Sequence, residues 1–408
     1  MQSAWTTRCC SATALTLACS LAIAAPAEQV RPFPTPRPPR TRTDSTPLFL
    51  FPLRALWKLE LNSDLKTSAA PVFDKTHAFF PLEGGRVVAY DLATGSQTWI
   101  VSIAATGRPA ASPDLLFVVE STSIDAVRVE DGATAWQLPF AEALAAPLMW
   151  DHGWLVAVTS EAEVLAFRAS DGHLVWRRNI GSPAHAAPAL AADRVYVPTE
   201  DGRVVALQVE TGAPIWEHRL GGASSDILAL DDRIYVGSKD NFFYCLSAKD
   251  GEQAWRVRTG GDVIGLPLID EHSVYFVSLD NVLRALNRGN GNQRWRKVLP
   301  LRPTMGPIRA GETIIVTGLA ETLPAFTAKD GSQAGELTPG GEVVAPPHIL
   351  EIPGIYGPVV VAITRDVVKG ATVSAHAREI EPRILTSISL PNLVTLTPAA
   401  TKPMEPKP

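Results

Sequence analysis

From residue 53 to about residue 390 the chain is a succession of short runs in which apolar and polar positions alternate with a period of two, each cut off by a turn that carries glycine. Residues 186–216, AAPALAADRVYVPTEDGRVVALQVETGAPIW, show the unit. A first strand ends near Asp193 and the run RVYVPT follows. A turn at Asp201-Gly202 leads into RVVALQV, and a turn at Thr211-Gly212 leads into a strand carrying Trp216. Alternating β-branched residues between Asp-Gly and Thr-Gly turns predict antiparallel hairpins. No long segment has the 3.6-residue periodicity of a helix. Four short strands in about forty residues are the content of one β-propeller blade.

The unit recurs in register. An alanine is followed six residues later by glycine and four residues after that by tryptophan in AYDLATGSQTW, AVRVEDGATAW, AFRASDGHLVW, ALQVETGAPIW, CLSAKDGEQAW (Cys245 in the alanine place) and ALNRGNGNQRW. The glycines are Gly95, Gly132, Gly172, Gly212, Gly251 and Gly291. The tryptophans are Trp99, Trp136, Trp176, Trp216, Trp255 and Trp295, separated by 37, 40, 40, 39 and 40 residues. Trp57 lies 42 residues before Trp99 without the turn, and AFTAKDGSQAG keeps Ala325 and Gly331 but has Gly335 where tryptophan is expected. Three strand-like runs follow, VVAPPHIL, GPVVVAIT and ATVSAHA. They lack a fourth strand, and the Trp57 strand lacks three partners, so joining the two ends removes exposed edges. Eight positions predict an all-β, eight-bladed propeller of four-stranded antiparallel blades. Seven blades is the alternative if the Trp57 strand or ILTSISL lies outside the ring.

The residue types have physical reasons. Glycine permits the positive φ of a tight turn, and the Asp, Asn or Thr before it can bond the turn's own backbone. Tryptophan is large enough to fill the wedge between blades, and its N–H can reach a backbone carbonyl. Seven of the ten tryptophans share this phase, which assigns them to architecture rather than to substrate stacking.

The chain ends change the picture further. Residues 1–27 read as a secretory signal, with Arg8, an apolar run from Ala12 to Ala25 and cleavage after Ala27. TLAC, ending at Cys19, is an imperfect lipidation signal, so Cys19 is a candidate acyl site. Residues 28–52 are a Pro/Arg-rich tether, 53–390 a single propeller domain, and 391–408 a loose tail. The expected location is the periplasm, with tethering to the outer membrane as an option. Ordinary cleavage leaves only Cys245, which reads as a small buried residue. Hydrophobic residues are 46% and charged residues 19%, with a net charge of -5 and no basic block in the repeats. These values fit a globular core and argue against a nucleic-acid partner. A closed ring needs no second subunit to cover its edges, so a monomer is expected.

The pattern Ala-x-x-x-x-[Thr/Asp/Asn]-Gly-x-x-x-Trp resembles the tryptophan-docking motif of PQQ-type quinoprotein propellers, over about 53–390. That resemblance implies the fold and leaves two functions open. PQQ-dependent dehydrogenases of this kind hold PQQ and Ca²⁺ in the central funnel, commonly beside a vicinal disulfide. Here the adjacent Cys9 and Cys10 belong to the signal, and neither metal-spaced histidines nor catalytic motifs are found. The other function is that of the BamB-like envelope proteins, which assist insertion of outer-membrane β-barrels through one propeller face. This second reading, a non-catalytic scaffold without cofactor, is the expectation. Its partner-binding residues would lie on the funnel loops, between each tryptophan strand and the next innermost strand: Asp64, Lys66, Arg108, Glu142, His185, Asp226, Asp262, Arg302 and Glu342. Mixed charge on this rim fits a protein partner better than a phosphate-rich one.

Overall fold

The computed structural model describes residues 50–61, 67–352, 355–366 and 370–379. Among the described residues the chain folds into eight antiparallel sheets without a helix. Blades 1 to 7 are four-stranded meanders over 72–101, 110–139, 149–179, 189–219, 224–258, 263–298 and 308–337. Blade 8 has an innermost edge in two pieces, Glu342–Val343 and His348–Leu350, then Val359–Asp366 and Gly370–Arg378. Its outermost strand is Leu53–Leu61, paired with Gly370–Arg378 from Leu53↔Arg378 to Leu61↔Ala371. The ring therefore has eight blades, and the seven-blade alternative is set aside because the Trp57 strand lies inside the ring. ILTSISL, the signal, Cys19, residues 28–49 and the 391–408 tail lie outside the described residues.

First strands of neighbouring blades touch from blade 1 through blade 6, and His348 of blade 8 stacks on Phe73 of blade 1. The apolar face of each sheet packs on the next blade, so the core is a circle of inter-blade clusters. Tryptophan and glycine meet at these junctions. A methyl built on Gly132, Gly172, Gly212, Gly251, Gly291 or Gly331 would come within 2.5–2.9 Å of the indole one blade back, and on Gly95 within 3.4 Å of Trp57. Six indoles donate a hydrogen bond to a carbonyl of the following blade: Trp99 to Val129, Trp136 to Ala169, Trp176 to Val209, Trp216 to Ala248, Trp255 to Arg288 and Trp295 to Ala328, at 2.6–3.2 Å. Trp57 is the exception, its N–H buried without an acceptor.

The junction of blades 7 and 8 is built differently. Gly335 stands where a tryptophan would, and a Cβ there would lie 2.5 Å from the Phe51 ring. Leu50 is fully buried in the same cluster, with Phe51 packed beside it. The sequence places these residues in the tether, yet Leu50 and Phe51 are part of the propeller. The aromatic ring missing from the end of blade 7 is supplied from the start of the folded chain. Phe51→Ala is expected to lower stability by about 2 kcal/mol, the value of covering one aromatic side chain, as measured by urea unfolding.

Candidate functional site on the funnel face

Each blade's fourth strand ends on the face where the next blade's first strand begins, and the turns between second and third strands open on that face as well. Meander topology alone therefore gathers the predicted loops on one side. Asp64 and Lys66 lie outside the described residues. Arg108 and Glu142 line one cleft of about 560 Å³ at the junction of blades 2 and 3, with Leu144, Ala145 and Val119 supplying apolar wall and Glu120 a further charge. The Glu142 carboxylate is fixed by Arg177 at 2.6 Å, and the same guanidinium reaches Glu163 at 2.9 Å. His185, Asp226 and Asp262 line a second cleft of about 270 Å³ at blades 4 to 6, with Lys239 and Ser225. Arg302 and Glu342 line neither cleft. Arg302 is exposed on the loop entering blade 7, and Glu342 opens blade 8 in register with Arg365.

Two of these residues feel each other's charge. Enclosure raises the Asp226 carboxyl above its ordinary range, an effect opposed by the charges of Arg108 and His185. Desolvation lowers the Arg108 pKa, opposed by Asp226. Arg108 still exposes much of its surface to solvent, and a guanidinium keeps its proton at any physiological pH. Among the described residues no ion pair or hydrogen bond joins the two, and the coupling between them is through space.

Blade 8 brings to this region a residue outside the predicted set, His348. His348 stacks on Phe73 of blade 1, with ring centroids 4.6 Å apart and planes at 9°. Burial lowers its pKa, partly opposed by Asp74. The signal was a lone histidine in the run VVAPPHIL, in a blade that lacks the repeat motif. Cys245 is fully buried, and burial pushes its thiol up to about 11, which makes it a poor nucleophile. Among the described residues no three His, Cys, Asp or Glu side chains come together as a metal would need. The donors among the described residues do not form the oxygen cage that Ca²⁺ takes.

Indoles set on the turn glycines of a closed eight-bladed ring define a propeller of the PQQ-repeat class. The chain belongs to the outer membrane protein assembly factor BamB family, whose model matches residues 53–119, 120–230 and 202–368. BamB of Yersinia pestis is 29% identical over 171 residues, covering 36% of this chain and 43% of that protein. The chain thus spans less than half the length of the curated relatives it matches. The crystal structure of BamB from Moraxella catarrhalis superposes with a TM-score of 0.64 at 18% identity, over 80% of this chain and 100% of that one. Quinohemoprotein alcohol dehydrogenase ADHIIG from Pseudomonas putida gives 0.61 at 14% identity, over 87% and 79%. At such identities these two likenesses show the fold alone.

Proposed function

We propose that this protein is a non-catalytic scaffold of the cell envelope that presents its funnel face to a protein partner, as part of outer-membrane β-barrel assembly. Family membership supports the setting. The observation that carries the reading is the gathering of Arg108, Glu142, His185, Asp226 and Asp262 into two clefts on one face, with an apolar wall beside charges of both signs. Such a surface suits side chains of another protein, which supply an apolar anchor and a polar rim together. In this reading residues 1–27 direct export and the tether holds the body away from a membrane, with an acyl chain on Cys19 as the anchor if that site is used. Radiolabelled palmitate incorporated into the parent and absent from Cys19→Ser would establish the anchor.

The partner test is a pull-down of β-barrel assembly proteins from envelope extracts. Arg108→Glu combined with Leu144→Ala is expected to weaken capture by at least about tenfold, the cost of one central contact and one reversed charge. Because Leu144 also packs on the blade 2–3 cluster, the unfolding midpoint is measured alongside to verify that the variant is folded. Undiminished capture by the folded variant would remove this face as the docking surface. Mixing with PQQ and Ca²⁺ is expected to leave no stable chromophore.

A further inference from the structure

The outer corner where blades 6 and 7 meet the funnel face carries the two most exposed large hydrophobic side chains among the described residues, Val298 at 78% and Leu319 at 62%. Val298 ends the outermost strand of blade 6, Gln293–Val298. Leu319 lies in the hairpin turn between the Thr313–Ile315 and Leu323–Thr327 strands of blade 7. The two positions are tied through the intervening loop: the Leu319 N–H donates to the Arg302 carbonyl at 3.2 Å, and Pro303 pairs with Gly318. Neither side chain belongs to a core cluster.

Single exposed apolar side chains are ordinary on a protein surface. This corner differs in the charges around it. Arg296 and Lys297 precede Val298, Arg302 follows it, and Arg258 holds the matching last position in the outermost strand of blade 5, Gln253–Arg258. Among the described residues none of these four forms an ion pair, whereas Arg128, Arg168 and Arg177 on other blades do. The hairpin itself adds one acid, Glu321. On a chain whose net charge is -5 this is a local excess of positive charge.

We propose that this corner is a contact site for an anionic lipid surface, with Val298 and Leu319 entering the headgroup boundary and the four cations facing lipid phosphates. A strand end and a hairpin tip project outward, which suits a flat surface better than a shaped cleft. Basic side chains beside such a surface attract it within a Debye length, and projecting apolar groups add hydrophobic contact once there. An acidic protein segment would match the charge but offers no apolar phase for two separate tips. The site is distinct from the clefts of blades 2 to 6, so either assignment can fail without the other.

Co-sedimentation with vesicles tests it, using the full chain carrying Cys19→Ser to remove the candidate acyl site. The expected result is salt-sensitive binding to vesicles of phosphatidylcholine mixed with phosphatidylglycerol, and little to phosphatidylcholine alone. Val298→Asp with Leu319→Asp should reduce binding about tenfold, and Arg258→Glu with Arg302→Glu by a similar factor. Both pairs are exposed, and an unchanged unfolding midpoint verifies each variant. Equal binding by parent and both variants would shift the contact to the basic N-terminal segment and overturn the proposal. Failure of the parent to bind would overturn it too, as would retention on soluble polyglutamate that the aspartate pair leaves unchanged.

Discussion

Trp255→Ala is expected to cost about 3–5 kcal/mol of stability, in the range of large aromatic truncations in cores. The ring is 8% exposed, lies 6.1 Å from both Tyr235 and Phe243, and donates to the Arg288 carbonyl of blade 6. Removing it opens a cavity in the wedge of blades 5 and 6 and strands that carbonyl together. Gly291→Ala should breach the same junction from the other side. Its φ of 73° disfavours any side chain, and the added methyl would lie 2.7 Å from the indole. Because both changes act on one contact, the double variant should lose less than the two single losses combined. Urea unfolding of the three variants measures this; a loss under about 1 kcal/mol for Trp255→Ala, far below the cavity cost, would mean that the indole is not what holds the junction.

Asp280→Ala is the second large effect, again about 3–5 kcal/mol, because it leaves a buried guanidinium without its counter-charge. Arg284 is 7% exposed and gives both terminal nitrogens to Asp280, whose carboxylate also accepts from Ser278 at 2.6 Å and from the Gly260 N–H at 3.0 Å. Burial by itself would raise this carboxyl, but the bonds from Arg284 and Ser278 outweigh it and hold it at about 2. A carboxyl depressed in the folded state stabilises the fold above its unfolded value near 3.8, and that contribution fades as pH falls from about 4 to about 2. A gap of nearly two units corresponds to about 2–3 kcal/mol. The parent should therefore show a steep loss in this window, and Asp280→Asn a shallower one. Parallel slopes in acid titrations of the unfolding free energy would show that Asp280 does not carry the effect.

Much of the ring was legible because one rare residue type recurs at a fixed phase. Trp99 through Trp295 set the period, and the unmatched strands at either end called for each other. The substitute at Gly335 was not legible. The sequence shows only that a tryptophan is lost, while Phe51, which fills the place, lies at the other end of the folded chain and sits in the apolar run LFLFPL. Aromatic stacking of His348 on Phe73 was hidden for a similar reason, since blade 8 lacks the motif that would have given its register. The funnel loops could be assigned to one face from meander topology. Which of them share a cleft could not, since that depends on how the Arg108 and His185 loops fold back on the hairpin turns beside them. The Asp280–Arg284 pair was likewise obscured, because its value lies in burial that DNVLR does not display.

The pairing of Leu53–Leu61 with Gly370–Arg378 has a consequence for how the molecule is made. Its first strand emerges before any of its own sheet exists and must wait through the synthesis of seven blades for a neighbour. Until then a ribbon whose one apolar face carries Trp57 and Leu59 offers unsatisfied backbone to whatever passes. Completion is thus a late, long-range event, of the kind that is slow and open to error during biogenesis. A nascent chain stalled short of Gly370 would hold seven assembled sheets and one adhesive loose end, the form that quality-control proteases and holding chaperones would meet first.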